Sequence, residues 1–216
     1  MNDIIQTITV YAIPVIFAIT LHEAAHGYVA KYFGDKTTYV QGRVSLNPLK
    51  HVDPIGTIVL PLVLALLPFG FVFGYAKPVP VVFGNLRNPK RDMIWVALAG
   101  PAANFVQAFL WIVIGLCAGL ARIQEPFVFN VVTAGVLVNC VVFAFNLFPI
   151  PPLDGGRVVM GLLPQRASLA YARVEPYGFF IVLALMMVPG LLSRVWLAPI
   201  VGAMQAALGL LFAPFV

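Results

Sequence analysis

Polar residues interrupt this chain at wide intervals. Apolar runs cover residues 4–33, 55–73, 93–121, 127–150, 176–192 and 195–215, and most of the charges fall in the short stretches between them. A helix needs about 20 apolar residues to cross the hydrocarbon of a bilayer, and most of these runs approach or exceed that length. The second run differs. "IGTIVLPLVLALLPFGFVFGYAKPVPV", residues 55–81, is broken by Pro61, Pro68, Gly70 and Gly74 and closes on an alternating "KPVPV". Proline removes a backbone donor and breaks helices, whereas alternation suits an extended chain. The pattern therefore predicts an all-α polytopic membrane protein, a bundle of about five to six transmembrane helices with a re-entrant, β-like segment near 55–81. No tandem repeat or low-complexity linker divides it, so residues 1–216 read as a single membrane-embedded domain. Its core is expected over 4–160, with additional C-terminal helices within 176–215.

Composition fits that picture. Of the 216 residues, 61% are hydrophobic and 10% charged, with a mean hydropathy of +0.96. A soluble domain carries about a quarter charged residues. The formal net charge of +5 could suggest nucleic acid, but the basic residues sit singly in short loops and form no contiguous stripe. The partner they imply is the lipid bilayer. Cys117 and Cys140 each lie inside an apolar run and read as small buried hydrophobes. The start, "MNDII", lacks the basic region of a signal peptide.

The charges also bear on whether 55–73 crosses. If it returns to the side it left, Lys31, Lys36, Arg43, Lys50, Lys77, Arg87, Lys90, Arg91, Arg157, Arg166 and Arg173 share one face, leaving only Arg122 and Arg194 on the other. A crossing would spoil that asymmetry. The positive-inside bias prefers the re-entrant form, makes the basic face cytoplasmic and places the N-terminus outside, in a multi-pass protein of the cell membrane. Irregular backbone at membrane depth should then line a cavity.

One stretch in the first run is out of keeping with its surroundings: "AITLHEAAHGYVAKYFG", residues 18–34, holds His22, Glu23 and His26. Ionisable groups inside a span need compensation. His22 and His26, four apart, share a helical face and can bind one metal ion, and Glu23 beside them can act as general base, the H-E-x-x-H arrangement of zinc peptidases. The plainer alternative is that all three hydrogen-bond to neighbours or line a proton path. A catalytic zinc usually has a third protein ligand, for which Asp53, Glu125, Asp154, Glu175 and His51 are available. Asp154 follows the run 127–150, and His22 lies near the end of its own run. They can meet only if those helices are parallel, which requires an odd number of crossings between them, as the re-entrant reading provides.

"HEAAH", "GRVSLNPLKHVDPIGT", "GYAKPVPV", "LAGPAANF" and "NLFPIPPLDGGRV", in this order from about residue 15 to 160, together resemble the site-2 protease family of intramembrane zinc metalloproteases. The resemblance is to a compact form: no insertion has the length of a PDZ domain, and nothing after the last run suggests a nucleotide-sensing CBS domain. It implies one Zn2+ per chain on His22, His26 and Asp154, with Glu23 as base. It also suggests that Asn146 binds the substrate backbone or a developing oxyanion, for which a side-chain amide is a suitable donor; a helix-end residue bonding its own backbone is the alternative. Substrate-contacting positions could further include Asn104, which otherwise acts as glue between spans, and His51, which otherwise belongs to an interfacial loop. Lys77, Pro78, Val79 and Pro80 could offer a strand edge to an unwound peptide. The expected partner is a transmembrane segment of another membrane protein. Two rival readings are a proton- or ion-coupled transporter, which would hold no stoichiometric zinc, and a non-catalytic zinc-binding scaffold.

Overall fold

The first apolar run folds as one helix, α1 (Asn2–Tyr32), with Pro14 inside it. The computed structural model describes residues 2–59, 63, 74, 76–188 and 190–212. Most of the expected re-entrant stretch, including Pro61, Pro68 and Gly70, lies outside the described residues. A four-residue helix, α2 (Thr37–Val40), follows α1. The third and fourth apolar runs form α3 (Pro89–Leu120) and α4 (Pro126–Asn146), each opened by a proline in its first turn, where the missing N–H is no loss. Four further α-helices follow among the described residues: α5 (Asp154–Leu162), α6 (Gln165–Ala172), α7 (Glu175–Met187) and α8 (Ala198–Phe212).

Contacts between the long helices fix their directions. His26 and His22 on α1 meet Val96 and Asn104 on α3, so residue numbers rise on one as they fall on the other. Asn104 meets Asn139, and Gly115 faces Val132, giving the same antiparallel sense for α3 and α4. Helices α1 and α4 are therefore parallel, the condition under which His22 and Asp154 can share an end of the bundle. The chain between α1 and α3 also returns to its starting point: the Arg87 N–H donates to the Phe33 carbonyl at 2.9 Å. Whatever path residues 60–73 take, that connection makes no net crossing.

The interior follows a membrane logic. Down one face of α1, Ala18, His22, His26 and Ala30 are buried; on α3 it is Gly100, Asn104 and Ala108, and on α4 Gly135, Asn139, Cys140 and Ala144. Small and amide side chains let helices approach and bond across, while Ile8, Phe17, Trp95, Leu110 and Ile114 point outward to where lipid replaces water. Helix α8 closes the far side through Met204 and Leu208, packed on Ala108 and Cys140, and Trp196 Nε1 donates to the Ala144 carbonyl at 2.8 Å.

Among the described residues three helices are long and apolar enough to cross a bilayer, Ile5–Tyr32, Pro89–Leu120 and Pro126–Asn146, and the pair α6–α7, bent by 64°, makes a fourth if it counts as one span. The described residues thus account for three or four of the five to six spans expected. Among them no strand occurs: residues 76–82 run as irregular chain.

Candidate metal centre

Two histidines one turn apart on α1 and a carboxylate at the start of α5 converge. The Asp154 Oδ2 atom lies 3.2 Å from His22 Nε2 and 3.3 Å from His26 Nε2, and the two Nε2 atoms are 3.1 Å apart. Both imidazoles are buried. Asp154 is delivered by the turn "NLFPIPPLD", and the glycines behind it are a packing requirement. A Cβ on Gly155 would sit 2.1 Å from the Leu147 carbonyl oxygen, and one on Gly156 would sit 2.2 Å from the Pro151 nitrogen. One turn further on, the Arg157 Nη2 pairs with Glu175 Oε1 on α7 and its guanidinium lies 5.1 Å from the Phe83 ring centre, tying the helix that carries Asp154 to its neighbours.

The partners of the two rings fix where their protons sit. His26 Nδ1 donates to the Val96 carbonyl at 2.7 Å, because a carbonyl oxygen can only accept. His22 Nδ1 donates to Asn104 Oδ1 at 2.6 Å. In neutral rings this leaves both Nε2 atoms as lone pairs. With Asp154 Oδ2, a buried atom that receives no hydrogen bond, three acceptors face one another with no donor among them. A metal cation among them, or a proton on one imidazole, reconciles such a set. The spacing suits zinc: ligand atoms 2.0–2.1 Å from a tetrahedral ion stand about 3.3 Å apart. On α3, Gly100 keeps the place clear, since a Cβ there would lie 2.4–2.5 Å from His26 Nε2 and from His22 Cε1 and Nε2. The residues present fit a zinc ion as a set of three donors.

Glu23, next to His22 and only partly buried, accepts the Val79 N–H on Oε2 at 2.8 Å. Val79 belongs to the irregular segment 76–82, which is held mostly by side chains. The Lys77 N–H donates to the His51 carbonyl at 2.9 Å, and Arg43 Nη2 donates to the Lys77 carbonyl at 3.1 Å. Thr38 Oγ1 donates to the Pro80 carbonyl at 2.9 Å, and the Val82 N–H donates to Asp35 Oδ2 at 2.8 Å. Asp35 is fully buried and also accepts from the Thr37 amide and hydroxyl and from Asn85 Nδ2. Burial alone would raise its pKa, but the bonds from Thr37, Val82 and Asn85 outweigh it and hold the carboxyl below the usual carboxylate range. Lys77, Pro78, Val79 and Pro80 thus lie along a strap across Glu23, most of whose partners are side chains.

The other sequence candidates fall as follows. Asn146 Nδ2 donates to the Val142 carbonyl at 3.0 Å, one turn back on its own helix. Asn104 is turned onto His22. His51 is buried, its Nε2 donates to the Ser45 carbonyl at 2.8 Å, and among the described residues it is outside the His22, His26 and Asp154 group. Asp53 Oδ1 accepts the Ile55 and Gly56 amides, and Glu175 is engaged by Arg157. Sequence reading did not single out Asn139, Gly100 or Asp35. The available signal for Asn139 was an amide in mid-span, seven residues before Asn146, which in lipid must find a partner.

A family model described as Peptidase family M50 matches residues 119–189, a stretch that includes Asp154. The chain is similar to the Bacillus subtilis protein named "Putative zinc metalloprotease YwhC", 36% identical over 182 residues, which cover 82% of this chain and 80% of that protein. It is also similar to "Putative zinc metalloprotease Rip2" of Mycolicibacterium smegmatis, 33% identical over 181 residues, or 82% of this chain and 66% of that one. To Rip2 of Mycobacterium tuberculosis H37Rv it is 29% identical over 178 residues, 81% of this chain and 65% of the relative. The chain thus spans about two thirds of the Rip2 proteins' length. No solved structure matches it significantly.

Proposed function

This chain belongs to peptidase family M50, and from that premise we propose that it is an intramembrane zinc endopeptidase, cutting peptide bonds within or beside the transmembrane segments of other membrane proteins. The coarser statement, a membrane metalloprotease, rests on the family, on relatives named as zinc metalloproteases and on helices apolar enough to cross a bilayer. The observation that carries the finer reading is the cluster of three facing acceptors buried in such a bundle, with a glutamate beside it.

His22, His26 and Asp154 would hold one zinc ion per chain, and bound there it supplies Lewis acidity to a water and to a peptide carbonyl. Every other part is played by the chain. Asn104 and the Val96 carbonyl orient the imidazoles. Glu23 takes a proton from the attacking water and returns it to the leaving amine, while its Oε2 is steadied by the Val79 amide. A transmembrane helix hides its carbonyls in its own hydrogen bonds, so the substrate must unwind before it can be attacked. The irregular strap beside Glu23 supports a site where such a peptide is received in extended form. Asn146 has a second amide hydrogen beyond the one given to Val142, available to a substrate carbonyl. The basic residues cluster at the end of the bundle that carries Lys31, Arg43, Arg87 and Arg157, which supports a site on the cytoplasmic side with the N-terminus outside.

The test is Glu23→Gln in purified protein with a reconstituted single-span substrate. Zinc content should be unchanged and cleavage should fall by roughly 10²- to 10⁴-fold, the usual contribution of a general base. Full cleavage by the variant would exclude the mechanism, and an unchanged cellular phenotype would favour a non-catalytic scaffold.

A further inference from the structure

Behind His22 lies a chain of buried amides. Asn104 and Asn139 are both completely buried. Asn104 Oδ1 accepts from His22 Nδ1 at 2.6 Å, and Asn104 Nδ2 donates to Asn139 Oδ1 at 2.9 Å and to the Ala18 carbonyl at 3.2 Å. Asn139 Nδ2 in turn donates to the Gly135 carbonyl at 2.8 Å.

The polarity of this chain is dictated from its far end. The Gly135 carbonyl cannot donate, so Asn139 must turn its NH2 towards it and its oxygen towards α3. That oxygen can only accept, so Asn104 presents its NH2 to Asn139 and its oxygen to α1. The acceptor-only Ala18 carbonyl favours the same orientation of Asn104 through the longer of its two bonds, 3.2 Å against 2.9 Å to Asn139. His22 must then carry its proton on Nδ1, leaving the Nε2 lone pair aimed at Asp154 and His26. We propose that Asn139, from the second helix away, is a positioning residue of the metal centre: it sets the tautomer of His22 through Asn104. The proposal rests on the reading of His22, His26 and Asp154 as a metal site and adds to it a residue that touches none of the three.

His26 obtains the same result from one backbone carbonyl, Val96. His22 sits where α3 offers a side chain instead, and an amide side chain has two orientations, only one of which leaves Nε2 free. A second amide removes the wrong one. Replacing Asn139 by leucine keeps a side chain of similar size and deletes the bond to Asn104.

The experiment uses the full chain purified in detergent, stripped of zinc and titrated against a chelator, as wild type, Asn139→Leu, Asn104→Leu and the double variant. Asn139→Leu should weaken zinc binding by about tenfold or more, the range seen when a ligand's outer partner is lost. In the Asn104→Leu background the same change should add less than about twofold, because the relay is already cut. Wild-type affinity in Asn139→Leu, or an equal loss in both backgrounds, overturns the proposal. A second measurement needs no variant and no metal: 15N NMR of histidine-labelled, zinc-free protein should show His22 protonated at Nδ1. An Nε2–H tautomer there refutes the relay even if the leucine variants do not fold. Wild-type protein that binds no zinc would sink the metal-site reading instead, and the NMR result would still decide the relay.

Discussion

Gly100→Ala adds one methyl group at the most crowded point of the site. The new Cβ would lie 2.4 Å from His26 Nε2 and 2.5 Å from His22 Cε1 and Nε2, against the 3.5–4.0 Å at which non-bonded heavy atoms rest. Relief requires α3 and α1 to part, or the rings to swing, by about 1 Å. Gly100 is four residues from both Val96 and Asn104, so the same displacement stretches the two ring anchors. The 2.7 and 2.6 Å bonds become about 3.7 and 3.6 Å, too long to count as hydrogen bonds. Overpacking of this kind costs about 1–3 kcal/mol of stability, and loss of both ring anchors should weaken zinc by at least the ~10- to 100-fold expected for one. Chelator competition gives the affinity and thermal melting of the zinc-free protein gives the stability. Gly119→Ala is the control, because no heavy atom lies within 4 Å of a Cβ at that position; it should leave zinc affinity unchanged and should not lower the melting temperature. Wild-type zinc affinity in Gly100→Ala would mean that the imidazoles and α3 are not in the contact described.

Asp154→Ala removes a ligand rather than its support, and elemental analysis should find the purified variant without stoichiometric zinc, with an affinity loss exceeding that of Gly100→Ala. Asp35 has a depressed carboxyl pKa in the folded chain, so its carboxylate stabilises above its unfolded value of about 3.9 and loses that contribution as the pH falls towards the folded value. The stability gap between wild type and Asp35→Asn should therefore be widest near neutrality and narrow below about pH 4 in melts across pH. Trp196→Phe keeps the ring beside Phe148 but strands the Ala144 carbonyl, which should cost about 1 kcal/mol in thermal unfolding and leave zinc affinity unchanged.

The parts of this protein that could be read from the chain are those governed by spacing along one helix or by bilayer thickness. The i, i+4 histidines, the three long helices and the parallel sense of α1 and α4 all follow from local pattern plus parity. The strap was legible only in part. Alternation in "KPVPV" signals extended chain, but Pro78 and Pro80 have no N–H to give a ladder, and the neighbours that meet the segment, Arg43, Thr38, Asp35 and Glu23, are side chains from elsewhere in the sequence. Asn139 and Gly100 escaped notice for a related reason. Each matters through a contact across helices, and nothing in the one-dimensional pattern says which face of α3 or α4 turns towards His22.

The Val79 amide on Glu23 has a consequence for chemists seeking inhibitors. Because it is attached to the same polypeptide, that N–H competes for the carboxylate like a tethered ligand, at an effective concentration of order millimolar or above. A metal chelator that leaves it in place never engages Glu23. A compound carrying its own N–H at that point could displace the strap and inherit a hydrogen bond to a charged acceptor, of about 1.5–3 kcal/mol, and would trap the polypeptide in an opened form that a simple chelator does not select.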